Sequence, residues 1–509
     1  MSLDLRGKKI LIFQQRNWGR TVGHFLAKKL QAEGCRLAAL TLKKTSHRFT
    51  ASQTEVQYEQ IVNLDDITDN PQKYLTGENI TLADVCRELK IDTVWPLLNS
   101  NRNLVKSYRR KFFYSYRKNV SDEHMIAYFM AYYRVVRDLC ASFKPDAVVM
   151  AAFVFEGHVM LDLFAKKLGI PVMALSFSKI PGYYIFSRSY QSTTGAFFQR
   201  LRDLNDGREK SPNRQKARQY IQEFRQQFKK SDSVKRLEAQ RLKRKSFFQK
   251  VRGELAPYYH ALRYILYGSE NECPNLGPQE DWRPPRILLR DHYLRKRYQK
   301  FADNYFYYPF DQVQKFVYFP LQVQPEVTID LNAPFFSNQI ETARLVAMAL
   351  PDDYTLVVKD HPIMAGKHSP SYLEKVALTP NVKLIDYRIP TEQILKRVAL
   401  VVSSNGTSMT EAAFYSVPAI QLGELGITQV LPNVTKHTDM TTLAKKIKAV
   451  LFFDLHTAEY ERQLENFVAA VFDTGINIDY HRAWHRGEGN LEEIWQGYKQ
   501  ELLQENSEK

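Results

Sequence analysis

Two stretches of the chain alternate short apolar runs with helix-like patterns. In the first, KKILIF (8–13) leads through a glycine-marked turn into HFLAKKLQAEG, whose apolar positions recur at helical spacing. DTVWPL and DAVVMAAFV read as strands, and GHVMLDLFAKKLG reads as a helix ahead of the strand IPVMALSF. The second series begins near 315. KFVYFPL, YTLVVKD, NVKLID, ALVVSS and PAIQLG read as strands, with NQIETARLVAMALP, TEQILKRV, TSMTEAAFYS and TTLAKKIKAVLFF as the intervening helices. Strands that alternate with helices predict a mostly parallel sheet covered on both faces.

The stretch between the two series is different in kind. From 195 to 300 it is polar and helical, poor in β-branched residues, with aromatics such as Phe224, Phe228, Phe247 and Phe248. The pattern predicts four segments: a Rossmann-like domain over 1–195, a basic helical insertion or linker over 196–310, a second Rossmann-like domain over 311–455, and a helical tail over 456–509 that packs back on the domains. No internal repeat is evident. Two Rossmann-like halves with a helical tail form the outline of a GT-B-like α/β fold.

Composition supports this outline. A chain of 509 residues exceeds what one hydrophobic core organises, and 44% hydrophobic residues argue for packed domains over disorder. The apolar runs are interrupted by charge, as Glu156 interrupts VVMAAFVFEGHVM, so none reaches the roughly 18 residues of a membrane span. The start does not read as a signal peptide, and the four cysteines lie far apart without ligand-like spacing. The expected location is cytoplasmic, with peripheral contact at the inner face of the cell membrane. The net charge of +17 is uneven: Arg200 to Arg252 holds 18 Lys and Arg against 6 Asp and Glu. Such a segment favours phosphates or an anionic membrane surface, or is simply a solvated helical face. No nucleic-acid-reading module accompanies it, and nucleic acid is not an expected partner.

Ligands of parallel α/β sheets bind beyond the carboxyl ends of the strands, and three sites in the second series lie there. In VVSSNGTSMTEAAF, Ser403, Ser404, Asn405, Gly406, Thr407 and Ser408 form a small polar loop entering a helix, and Glu411 lies one turn in. Such a loop is an anion cradle or an ordinary capped helix. In VVKDHP, Lys359 and His361 close a strand, and Pro362 keeps His361 extended. A positioned lysine and imidazole would stabilise a departing phosphate. In FPLQVQPEVTID, Gln324 and Glu326 follow a strand within a proline-stiffened loop. The first series offers Gly19, Arg20 and Gly23 at its first strand-to-helix turn, which is not a dinucleotide fingerprint. Glu156 follows a later strand, where flanking Phe153 and Phe155 would raise its pKa toward that of a general base; a helix-start glutamate is the alternative.

With these motifs in order, residues 315 to 425 or so resemble the capsular polysaccharide biosynthesis family, through FVYFPLQVQPE, VVKDHP and SSNGTSMTEAAFYSVPAI. Its relatives include bacterial Kdo-transferring capsule enzymes and, more distantly, the GT-B sialyltransferases. The resemblance implies glycosyl transfer from a nucleotide sugar, CMP-linked in the characterised relatives, to a lipid-linked or oligosaccharide acceptor, with no cofactor and no metal. It implies that His361 and Pro362 contact the nucleotide and phosphate, and that Ser403 and Ser404 bind the donor phosphate. It also places an acidic base in the first domain, usually an acidic pair before glycine. Here the match is Phe155-Glu156-Gly157, which lacks the first acid. A transferase making polyol-phosphate polymers from CDP-alcohols, and a non-catalytic capsule assembly or export subunit, are the competing readings.

Overall fold

The computed structural model describes residues 4–77, 80–105, 119–229, 246–268, 273–276 and 284–508. Residues 230–245, the middle of the basic segment, lie outside the described residues. The first half builds a sheet from β1 (Lys9–Gln15), β2 (Arg36–Leu42), β3 (Gln60–Asn63), β4 (Ala147–Met150), β5 (Val172–Phe177) and β6 (Tyr183–Ser187). The second half contributes β7 (Phe316–Pro320), β8 (Thr355–Lys359), β9 (Val382–Ile385), β10 (Leu400–Ser403), β11 (Ala419–Gln421) and β12 (Val434–Lys436). A short β13 (Ile476–Asn477) follows.

The second sheet runs β12-β11-β10-β7-β8-β9, parallel throughout, and the first runs β13-β6-β5-β4-β1-β2-β3, parallel from β5 to β3. Both orders reverse direction in the middle, at β1/β4 and β7/β10. That is the doubly wound arrangement, in which connections leave to either side and open a crevice at the reversal. Central strands such as FVYFP are buried along their whole length, because helices cover both faces. Each sheet accordingly has two cores, one per face.

DTVWPL departs from its expected strand: Trp95–Leu98 is a short helix. Pro96 has no N–H to give a ladder but fits a helix's first turn, where that N–H would be unused.

The helices Ala196–Asn205 and Arg214–Gln226 are also more than an insertion. They bury Phe197, Leu201, Ile221 and Phe224 in one core with the helices Ser408–Phe414 and Ala458–Thr474. The Phe224 ring sits 4.3 Å from that of Phe414. Three of their arginines pair with acids of the helix Ala458–Thr474: Arg200 with Asp473 at 2.8 Å, Arg218 with Glu465 at 2.7 Å and Arg225 with Glu461 at 2.6 Å.

After helix Ala458–Thr474 the chain returns to the first half. There β13 pairs antiparallel with β6, and Tyr480 and Tyr498 donate hydrogen bonds to Ala151 O (3.0 Å) and Met150 O (2.7 Å).

Candidate functional site

A cleft of about 470 Å³ opens at the carboxyl end of the second sheet. Its walls come from the loops after β7, β8, β9 and β10, and from Phe177 and Lys179 of the first half. The reversal between β7 and β10 is what spreads these loops apart.

Lys359 ends β8 almost fully buried, its Nζ donating to Ile389 O at 2.9 Å and Thr391 Oγ1 at 3.0 Å. Burial lowers its pKa to about 8, against the opposing pull of Glu411 and Asp386. His361 follows, its backbone N–H held by Asp360 Oδ1 at 2.8 Å. Asp360 in turn is held by His368 Nδ1 at 3.1 Å, and His368 stacks on Tyr372. His361 Nδ1 accepts the N–H of Ile363 at 3.1 Å, which assigns the proton of a neutral ring to Nε2. Burial pushes His361 down to about 4, so near neutral pH it offers a hydrogen-bond donor and no charge. Glu411 faces the same cleft and is raised to about 7 by burial, with Lys359 and Thr407 pulling the other way. Across the cleft, the carboxylate of Glu326 is reachable by solvent but enclosed by the walls. That enclosure raises its pKa, while Thr328, Lys179 and Arg102 hold it down. Burial lowers Lys179 to about 8, Glu326 opposing.

The residues singled out from the sequence separate into two groups. Lys359, His361, Pro362, Glu326, Gly406, Thr407, Ser408 and Glu411 share the cleft wall. Gly406 has φ +125°, and a Cβ there would meet Gln322 Oε1 at 2.6 Å, so the loop's close turn depends on glycine. Ser408 Oγ is buried without a partner. Ser403, Ser404, Asn405 and Gln324 lie behind the wall, fully buried or nearly so. Ser403 Oγ donates to Asn405 O at 2.8 Å, Asn405 Nδ2 donates to Thr328 O at 2.7 Å, and Gln324 Nε2 donates to Asp330 Oδ1 at 2.9 Å. These side chains brace the loops; Ser404 Oγ has no partner there.

Glu156, Gly19, Arg20 and Gly23 are placed at the reversal point of the first sheet and do not line the cleft. Glu156 is fully buried, with Oε1 accepting from Asn101 and from Tyr128 (2.8 Å), and Oε2 unpartnered. Burial raises it to about 7. A base must reach the hydroxyl it deprotonates, and in this geometry Glu156 has no surface on the cleft. Gly19 and Gly23 pack closely on Gln14, Ser46 and Trp18, and Arg20 is exposed.

Several cleft residues escaped the sequence reading. Arg388 and Thr391 belong to DYRIPTEQ, after a strand already recognised, and the carboxyl-end rule would have found them. Lys179, with φ at +71°, also follows a recognised strand, β5, but it comes from the other half, and nothing local shows that its loop reaches this cleft. Sequence periodicity carries no information on which loops of two domains meet.

Residues 287–427 match the family model described as "Capsule polysaccharide biosynthesis protein". No curated protein matches the chain. Among solved structures, it is similar to a beta Kdo 2,7 transferase (KpsC) of Thermosulfurimonas dismutans, at 11% identity and TM-score 0.34, covering 71% of this chain and 87% of that one. A beta Kdo 2,4 transferase (KpsC) of the same organism gives 13% identity and TM-score 0.33, covering 70% and 87%. The UDP-GlcNAc 2-epimerase of Methanocaldococcus jannaschii, in complex with UDP-GlcNAc and UDP, gives 12% identity and TM-score 0.24, covering 90% and 98%. The segment matched by the family model contains β7 to β11 and the second-half cleft wall.

Proposed function

We propose that this chain, whose cleft-bearing segment matches the capsule polysaccharide biosynthesis model, is a glycosyltransferase that uses a nucleotide-activated sugar to build a capsular polysaccharide or glycolipid. The observation that carries the reading is the convergence of Lys359, His361, Thr407, Ser408 and Glu411 on one cleft between two doubly wound sheets. Its volume of about 470 Å³ lies in the usual range for small-molecule sites. A CMP-sugar is the favoured donor, on the resemblance of the QPE, KDHP and SSNGT motifs.

In this reading the donor phosphate sits against Lys359 Nζ, the Nε2–H of His361 and the hydroxyls of Thr407 and Ser408. These donors are fixed in place before the reaction, so stabilising the departing nucleotide costs little reorganisation. Glu411 accepts from the nucleoside's hydroxyls. Glu326, in the cleft and raised above the usual carboxylate range, takes the acceptor proton in place of the buried Glu156. Lys179 faces it from the first half and completes the site when the halves close on substrate. No step calls for a metal or a cofactor.

A thermal-shift panel of CMP, CDP, UDP and GDP tests the reading on wild type, Ser408→Ala and Lys359→Met. Ligand at about 100 times its dissociation constant stabilises a protein by roughly 2.7 kcal/mol. The expected order puts CMP first, with affinity reduced at least tenfold in Lys359→Met. A response to CDP-glycerol with its turnover and no sugar transfer would reassign the reaction to polyol-phosphate transfer, and no response to any nucleotide would end the catalytic reading.

A further inference from the structure

Ten of the twenty large apolar side chains exposed among the described residues lie on one helix, Phe247–Tyr267. Phe248, Val251, Leu255, Tyr259, Leu262 and Leu266 follow one another at steps of three and four, which places them on a single face about 80° wide. They are well exposed, Phe248 at 82% and Leu262 at 55%. The opposite face, with the buried Ala261, packs against helix Pro285–Asn304 as an antiparallel hairpin, through Glu254 with Lys296 and Tyr258 with Tyr293. An apolar stripe of this length, turned away from the fold, is unlike the scattered exposed residues of an ordinary surface.

We propose that this face lies on an anionic lipid surface, with the helix in the plane of the interface. Charge selects the occupant. The two hairpin helices carry nine Lys and Arg against three Asp and Glu, and the chain as a whole is +17. Arg252 and Arg263 are exposed and border the stripe on one side, where they would meet lipid phosphates. A second copy of the chain would bring the same cations against their own kind, because a two-fold interface pairs a surface with itself. Tyr259 and Tyr267 suit the boundary itself, with apolar rings and polar hydroxyls. Among the described residues no helix is long and apolar enough to cross a membrane, so this one rests on the surface.

The hairpin region is tied to both halves of the fold. Asp69 of the first half accepts the N–H groups of Asn275 and Leu276, each at 2.9 Å, just ahead of its second helix. At the far end, Asp303 Oδ1 accepts from Tyr387, a cleft residue, at 2.5 Å. Docking therefore ties the cleft-bearing half to the lipid surface through the second hairpin helix. The docking stands on the helix alone; its use, to present a lipid-linked acceptor, rests on the glycosyl-transfer reading. It also shifts the membrane contact within the basic region, away from Arg200, Arg214, Arg218 and Arg225, which pair with acidic residues of helix Ala458–Thr474, to the helix that starts at Phe247.

Co-sedimentation of the full chain with phosphatidylcholine vesicles, with and without phosphatidylglycerol, tests this. Wild type is expected to pellet with the anionic vesicles and to be released by high salt. Leu255→Glu/Leu262→Glu, and independently Phe248→Ser, should each lower binding at least tenfold. All three side chains are exposed, and an unchanged unfolding midpoint and nucleotide-induced shift would show that the fold is kept. Absence of wild-type binding, or equal binding by the variants, overturns the proposal. So does a stripe variant that only converts a dimer to a monomer. A chain that ignores nucleotides yet shows stripe-dependent vesicle binding would remove the catalytic reading and support the docking.

Discussion

Glu156 and Glu411 are raised by burial to the same value, about 7, in different settings. Glu411 has Lys359 beside it and a cleft in front, whereas Glu156 is sealed beneath Asn101 and Tyr128. The linkage for Glu156 has a definite sign. Below its ordinary value of 4.5 the folded and unfolded chains are both protonated, and the burial costs nothing. As pH rises the unfolded chain ionises first, so stability falls between 4.5 and about 7, by about 3 kcal/mol at pH 8. Glu156→Gln cannot ionise and escapes that loss, although its amide leaves a buried N–H unpaired at every pH. The unfolding midpoint of the variant relative to wild type should therefore rise by several degrees from about pH 4.5 to pH 8. A difference that stays flat across the range would show that Glu156 is not held protonated.

At the scale of elements, two helices from the polar middle of the chain have opposite environments. Arg214–Gln226 inserts Phe224 into a shared core, while Phe247–Tyr267 turns its aromatic residues outward. Both read as polar helices with aromatic residues, since periodicity shows that a helix has an apolar face and not what covers it. Truncation separates them. Phe224→Ala should cost about 3–5 kcal/mol in denaturant unfolding, as loss of a buried aromatic side chain does. Phe248→Ala should change stability by less than about 0.5 kcal/mol. Similar effects from the two would contradict the packing described. The strands of the second half were the most legible elements, because a parallel strand buried on both faces is a continuous apolar run. DTVWPL shared that signature and formed a helix, where the proline outweighed its neighbours.

At the scale of the molecule, the halves meet at Lys179 and Glu326, one from each side of the cleft. If the second half holds the nucleotide and the first half completes the site, Lys179 belongs to closure more than to donor binding. Lys179→Met should leave nucleotide affinity within about threefold while lowering turnover at least tenfold. Calorimetry and steady-state rates read the two separately, and a parallel loss in both would place Lys179 on the donor instead.

The sequence by itself determined two parallel α/β halves and three strand-end motifs in the second, because apolar periodicity and turn chemistry are local properties. It also marked Lys359, His361, Gly406, Ser408 and Glu411 as chemistry-bearing positions. The tertiary structure alone decided which of the marked hydroxyls face the cleft and which brace it from behind, a matter of side-chain direction within one loop. It alone placed Glu156 at the reversal point of the other sheet, Lys179 opposite Glu326, and the aromatic stripe of Phe247–Tyr267 on the outside. Each of these depends on contacts between residues distant along the chain, set by how the two sheets and the returning C-terminal helices pack.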